Sequence, residues 1–178
     1  MHPQSLEERT GAVTFKGNPM TLLGRELKVG DTAPELQLTG ADLSVKNLDA
    51  VLDGGAAMLI VVPSLDTGVC SLESKKFNDR IGELPPGVHA YVVSMDLPFA
   101  MGRWAGEEDA SALGLLSDYR NHRFGNDYGL RIKELGLLAR AIVVIGKDKK
   151  IRYTELIHEV ADEPNYDAAI AAAKSAAA

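Results

Sequence analysis

The sequence predicts an α/β fold organised on a parallel strand–helix–strand unit, and three observations predict it. Met58-Leu59-Ile60-Val61-Val62 is apolar throughout, as a strand is when helices cover both faces of its sheet. An amphipathic run follows, with Phe77, Ile81 and Leu84 at spacings of four and three, until Pro85-Pro86-Gly87 stops it. Val88-His89-Ala90-Tyr91-Val92-Val93-Ser94 then reads as a second strand, and a crossover of this length makes the two strands parallel. A chain of 178 residues is large enough to bury a core without disulfides or metals. No internal repeat and no long linker divides it, so the expected organisation is a loose tail over 1–11 and one domain over 12–178.

The elements follow in order. Val13-Thr14-Phe15 and Met20-Thr21-Leu22-Leu23 flank the turn cluster Lys16-Gly17-Asn18-Pro19 and predict an N-terminal β-hairpin. A hairpin alone is marginal, so this one needs a body to pack on. Glu35-Leu36-Gln37-Leu38-Thr39 alternates as a short strand, and 44–52 reads as a second short strand and a helical turn ending at Asp53-Gly54-Gly55. After the central unit, Leu115-Leu116-Ser117-Asp118 is a short strand, and a basic, aromatic turn leads into a short helix ending near Tyr128-Gly129. Residues 138–145 form a strand with Arg140 at its start, and Gly146-Lys147-Asp148-Lys149-Lys150 turns into Ile151-Arg152-Tyr153-Thr154-Glu155-Leu156, whose charges mark an edge or one wet face. From Pro164 the chain is helical, with Tyr166 and Ile170 four apart and Asp162 and Glu163 suited to the positive helix start.

Composition narrows the function. Net charge is -6, from 19 basic and 25 acidic residues, which argues against nucleic acid or an anionic membrane surface as partner. No apolar run approaches a membrane span. Residues 1–9 lack the apolar segment of a signal peptide, and a single cysteine cannot form an internal disulfide, so a reducing, cytoplasmic setting is expected. Histidines at 2, 89, 122 and 158 have no metal-ligand spacing, and no cofactor motif is present.

The chemistry concentrates at Pro63-Ser64-Leu65-Asp66-Thr67-Gly68-Val69-Cys70. Strand, tight turn and helix put Cys70 in the first helical turn, beyond the carboxyl end of a central strand, where α/β sheets hold reactive groups. Unpaired N–H groups and the positive dipole there stabilise a thiolate. Thr67 is the expected N-cap, its hydroxyl accepting from the N–H of Cys70 or its neighbour, or donating to the sulfur or a bound oxygen. Pro63 ends the strand and shields one side of the loop. A free cysteine is often only a small buried hydrophobe, and the strand–turn–helix context is what lifts Cys70 above that.

Pro63, Thr67 and Cys70 match the pattern Pro-x-x-x-Thr-x-x-Cys, which resembles the peroxidatic motif of peroxiredoxins. Five further blocks resemble the bacterial thiol peroxidase subfamily: Phe15-Lys16-Gly17-Asn18-Pro19, Ser94-Met95-Asp96-Leu97-Pro98-Phe99-Ala100, Leu116-Ser117-Asp118-Tyr119-Arg120-Asn121, Gly136-Leu137-Leu138-Ala139-Arg140-Ala141 and Glu163-Pro164-Asn165-Tyr166. The resemblance implies a thioredoxin-like α/β sandwich with the hairpin closing one end. It also implies reduction of hydrogen peroxide and alkyl or lipid hydroperoxides by Cys70 through a sulfenic acid, with thioredoxin or another thiol as reductant, no cofactor, and a homodimer with the Trp104 and Arg120 regions near the contact.

On that reading Cys70 is the nucleophile, and Thr67 with the N–H groups of Val69 and Cys70 holds the peroxide oxygens in line. Arg140, matched by its Leu-Ala-Arg-Ala block, supplies fixed paired donors and permanent positive charge. Glu73, one turn after Cys70, is placed either to position the arginine or to stand as a solvated helix carboxylate. Leu97, Phe99 and Trp104 are expected either to line an apolar mouth or to be core residues under a loop, with Arg120 as a second arginine near substrate or dimer contact. The subfamily carries a resolving cysteine two residues after the matched Arg103; here that residue is Ala105. Two readings of Ala105 stay open, a natural one-cysteine member resolved by an external thiol and a cysteine replaced by alanine. The alternatives to a peroxidase are a peroxide sensor that passes oxidation from Cys70 to a partner protein, and a non-catalytic thioredoxin-like binding domain.

Overall fold

A computed structural model describes residues 5–177. The chain opens with a hairpin of β1 (Glu8–Phe15) and β2 (Asn18–Leu23), turned by Lys16 and Gly17 with φ of 51° and 79°. Two successive residues at positive φ make the turn whose twist matches that of paired strands. The strand begins earlier than the expected boundary at 12. The β1–β2 register shifts between Arg9 and Val13, where Gly11 sits at φ 71°, so a glycine bulge carries the pairing on to Glu8. The expected tail thus loses its last four residues to β1, and its first four lie outside the described residues.

The next strand, β3 (Leu38–Gly40), starts later than expected. Glu35 Oε1 accepts from the N–H groups of Leu36 and Leu48, at 3.0 and 2.7 Å, which holds the residues before β3 against the following helix instead of in a ladder. A two-residue β4 (Val45–Lys46) and α1 (Leu48–Leu52) follow, the helix capped by Asn47 accepting from Ala50 N–H at 2.9 Å. The central unit is β5 (Ala56–Val61), α2 (Gly68–Arg80) with a 3₁₀ turn over Ile81–Glu83, and β6 (Val88–Ser94). The β5–β6 pair is parallel over six residues.

Helix α3 (Pro98–Glu107) was not expected as a helix. Pro98 occupies its first turn, where a missing N–H costs nothing. Then come β7 (Gly114–Ser117), α4 (Arg123–Asp127), β8 (Arg131–Ile132), β9 (Ala141–Ile145), β10 (Ile151–Leu156) and α5 (Tyr166–Ser175), which Asn165 caps by accepting from Ala168 N–H.

Seven strands form one sheet in the order β10-β9-β5-β6-β7-β3-β4, and β1, β2 and β8 form a second, smaller sheet. The charged strand β10 lies at an edge, as its composition requires. All six residues of β5 are buried, and its alternation divides the core. Met58 and Ile60 face a cluster with Phe77 of α2, Trp104 of α3 and Ile170 of α5; Leu59 and Val61 face one with Val51 of α1 and Phe124 of α4. The hairpin docks through a third cluster of Val13, Leu22, Ile132, Ala139 and Val160. Its tip is tied down as well: Thr14 exchanges backbone bonds with His158 and Val160, and Gly17 N–H donates to Glu159 Oε1 at 2.9 Å. This docking carries Phe15 and Lys16 to the end of β5 where Cys70 lies.

Candidate active site

Strand β5 gives way to Val62 and Pro63, and a four-residue loop leads to Gly68 at the start of α2. Cys70 is the third residue of that helix. The first backbone bond of the helix runs from Ser71 N–H to Thr67 C=O at 3.0 Å. The N–H groups of Gly68, Val69 and Cys70 lie before it, without intrahelical carbonyls, at the positive end of the dipole.

A single arginine organises the surroundings of the sulfur. Arg140 immediately precedes β9, the antiparallel neighbour of β5 in the sheet, and is 2 % exposed. Its Nη2 donates to Cys70 Sγ at 3.1 Å, its Nη1 to Glu73 Oε2, and its Nε to Val160 C=O at 2.8 Å. One planar fork therefore joins the sulfur, a carboxylate of the same helix and the backbone that docks the hairpin. Burial works against the arginine's charge, and Glu73 and the Cys70 sulfur outweigh it, so its pKa is raised. Glu73 is fully buried, and burial pushes its carboxyl up to about 7 against the opposing pull of Arg140. Among the described residues its Oε1 has no hydrogen-bond partner.

Thr67 is the N-cap residue by backbone conformation but does not cap with its side chain. Its hydroxyl donates to Ser64 C=O at 2.9 Å, and its own N–H reaches the same carbonyl at 3.2 Å. The expected bond to the N–H of Cys70 or its neighbour is therefore replaced by a turn that closes the loop on itself. With its proton committed to Ser64, the oxygen keeps its lone pairs for a donor arriving from the pocket.

That pocket has a volume of about 300 Å³. Pro63, Thr67, Val69, Cys70 and Arg140 line it, together with Phe15 and Lys16 of the hairpin tip and Leu137, Val160 and Ala161. The last five were not anticipated as wall residues. The block that contains Phe15 and Lys16 stands out in the sequence, but only the long-range pairing of Thr14 with the residues around Glu159 brings it over Cys70.

Four expected substrate contacts lie away from this wall. Leu97 and Phe99, at the start of α3, are 51 % and 70 % exposed. Trp104 is buried between α3 and α2, with its Nε1–H donating to Ser71 Oγ at 2.9 Å, because α3 turns its apolar side inward instead of toward a mouth. Arg120 lies on the surface beside the Tyr119 ring and reaches Leu43 C=O at 3.5 Å. Ala105 is a half-buried residue of α3 packed on the same cluster as Trp104.

A Redoxin family model matches residues 28–170. The chain is 50 % identical over 163 residues to a thiol peroxidase of Streptococcus pneumoniae, covering 92 % of this chain and 99 % of the relative. It is 42 % identical to a thiol peroxidase of Bacillus subtilis over 92 % of this chain and 96 % of that one. Among solved structures, a peroxiredoxin-like protein from Aquifex aeolicus superposes with a TM-score of 0.86 at 41 % identity, covering 97 % of this chain and 99 % of that one. The layered architecture is thus the thioredoxin-like fold of peroxiredoxins, and the chain belongs to the Redoxin family, within its thiol peroxidase branch.

Proposed function

We propose that the chain is a thiol peroxidase in which Cys70 reduces hydroperoxides with the help of Arg140 and Thr67. The observation that carries this reading is the 3.1 Å contact between Arg140 Nη2 and Cys70 Sγ in a pocket of substrate size. The thiolate attacks the terminal oxygen of R–O–OH, an S–O bond forms as the O–O bond breaks, and the products are a Cys70 sulfenic acid and RO⁻. The oxyanion takes up a proton, balancing the one the thiol gave up, and leaves as alcohol or water. Thr67 Oγ accepts from the terminal O–H, while Arg140 and the free N–H groups at the start of α2 stabilise charge on the departing oxygen. Pro63 forms one wall and Val69 contributes backbone and side chain to the site. Leu97, Phe99, Trp104 and Arg120 have no part in this step.

Phe15, Leu137 and Val160 give the pocket an apolar wall that favours alkyl and lipid hydroperoxides. Cys70 is the only cysteine, so the sulfenic acid is closed out by a thiol from outside. That thiol forms a mixed disulfide with release of water, and a second thiol, of thioredoxin or another reductant, restores Cys70 as the disulfide of the reductant leaves. The absence of a resolving cysteine also favours a second role, passing oxidation to a partner protein through the same mixed disulfide. We extend the reading to a cytoplasmic homodimer, supported by the exposed apolar residues Leu97 and Phe99 as a face for a second copy. No described helix is long and apolar enough to cross a membrane.

The test is an anaerobic single turnover of the reduced protein with one equivalent of hydrogen peroxide or cumene hydroperoxide, followed by mass spectrometry with a sulfenic-acid trap. Rapid loss of the thiol, a trapped adduct on Cys70 and faster reaction with cumene hydroperoxide are expected. A thiol that reacts no faster than free cysteine would overturn the peroxidase reading.

A further inference from the structure

Asp96 lies just beyond β6, on a different strand end from Cys70, yet its carboxylate faces the loop that carries Thr67. Oδ1 accepts from Ser64 Oγ at 2.7 Å, and Oδ2 accepts from Leu65 N–H at 2.7 Å and Ser94 Oγ at 2.8 Å. Asp96 is itself held: its N–H donates to Ser94 Oγ, and its C=O accepts from Ser117 Oγ of β7. Ser94 and Ser117 are both buried. The carboxyl ends of β5, β6 and β7 thus converge on one residue.

Leu65 N–H and Ser64 C=O are the two ends of one peptide unit. A peptide is planar and trans, so its N–H and C=O point in opposite directions, and fixing one end fixes the other. Asp96 grips the N–H end, and Thr67 donates its hydroxyl proton and its N–H to the C=O end. Charge-assisted bonds are shorter and stronger than neutral ones, and chains of such bonds polarise one another. The direction of the Thr67 hydroxyl, and so of the lone pairs it offers to a peroxide, follows from where Asp96 holds the Ser64–Leu65 peptide.

We propose that Asp96 is a positioning residue for the peroxide reaction, orienting the Thr67 hydroxyl through the Ser64–Leu65 peptide plane. This rests on the peroxidase reading above. Asp96 does not touch the pocket; it acts through Thr67. Its loss should therefore slow attack on a peroxide, which needs alignment, far more than alkylation of the thiol, which does not.

The experiment is a double-mutant cycle of Asp96→Ala with Thr67→Val, reading the second-order rate with cumene hydroperoxide, the rate of iodoacetamide alkylation of Cys70, and folding by circular dichroism. Asp96→Ala alone should lower the peroxide rate by roughly 10- to 100-fold, the range expected when a reacting group is misplaced by about an ångström. In the Thr67→Val background the same change should cost less than about 3-fold, because the oriented group is already gone. Alkylation should change by less than about 3-fold in every variant. Asp96→Asn, which keeps one acceptor oxygen, should retain an intermediate rate and runs the same cycle if the alanine variant does not fold. An equal fold-loss in both backgrounds, or an unchanged peroxide rate in a folded but less stable Asp96 variant, overturns the proposal. A slow peroxide reaction in the unsubstituted chain would instead overturn the peroxidase reading, and this assignment with it.

Discussion

Arg140 and Arg80 both make ion pairs at helix α2, one at its buried start and one at its exposed end. Arg140 joins Glu73 where neither side chain meets solvent. Arg80 joins Glu83 and Asp167, at 2.6 and 2.7 Å, with all three side chains partly in water. By number of carboxylate partners Arg80 is the better furnished of the two. The environment reverses the order. Water and salt screen the Arg80 cluster, and ordering its long side chains offsets much of the attraction. At Arg140, desolvation makes the pair expensive to hold, and removing one partner strands a charge with nothing to replace it. The buried pair is a weak source of stability and a strong constraint on geometry: it fixes a guanidinium against Cys70 Sγ.

The largest expected effect comes from Arg140→Ala. It removes the donor to the sulfur and the charge that stabilises the leaving oxygen, and should slow single-turnover oxidation by about 100- to 1,000-fold. It also leaves Glu73 buried and unpaired. At pH 8 the loss of stability should be about 3–5 kcal/mol by denaturant titration. At pH 5 it should be smaller, because the carboxyl can take a proton instead of carrying an uncompensated charge. Arg140→Lys keeps the charge but not the fork, and should fall between the alanine variant and the parent in rate. A rate within about 3-fold of the parent for Arg140→Ala would break the contrast at its stronger end.

A subtler change, Glu73→Gln, separates the charge of the pair from its shape. Burial holds Glu73 at about 7 against an ordinary value of 4.5, with Arg140 opposing the shift and Glu163 and Glu155 adding to it. Tyr166 also faces the group. The folded chain therefore binds the proton more tightly than the unfolded one. This stability is fully present below about pH 4.5 and is lost as pH rises through 7, on the order of 3 kcal/mol across the window. Glutamine keeps an oxygen for Arg140 Nη1 and does not titrate. Unfolding curves for Glu73→Gln at pH 4.5 and 7.5 should lie closer together than those of the parent by that amount. An undiminished pH dependence would place the titrating group elsewhere.

The same division between local and long-range effects explains what the sequence revealed. The central unit was readable because 58–62 is uniformly apolar and the helix after it has its stop signal in Pro85-Pro86-Gly87. The edge position of β10 was readable from Arg152 and Glu155 within it. Pro63, Thr67, Cys70 and Arg140 were legible from motif and block, Glu73 only as one of two readings, and the fold brings all five together. What was not legible has a common origin. Leu97, Phe99 and Trp104 are apolar and follow the strand next to that of Cys70, which suits a mouth or a core alike; Pro98 starts a helix that sends Trp104 into the core and leaves Phe99 in water. Phe15 and Lys16 were missed as pocket wall because their place depends on pairing Thr14 with Glu159, a contact 145 residues apart. The Thr67 hydroxyl is directed by the Ser64 carbonyl it donates to, and Asp96, beyond the end of β6, holds the same peptide by its other end. Residue type and spacing carry no record of it.

The smallest expected effect is the one that tests the other end of the comparison. Arg80→Ala removes both contacts of the exposed cluster, yet Glu83 remains hydrated and within reach of Lys174 Nζ at 3.7 Å. Asp167 keeps its place in the first turn of α5, where a negative charge is favoured by the helix dipole. Neither carboxylate is left stranded, which is the physical difference from Glu73. The oxidation rate of Cys70 and the midpoint of thermal unfolding should both stay within error of the parent. Any small shift in midpoint at low ionic strength should vanish in 1 M salt, where screening acts over about 3 Å. A salt-insensitive loss approaching that of Arg140→Ala would mean that the exposed cluster, and not the buried fork, ties α2 to the body of the fold.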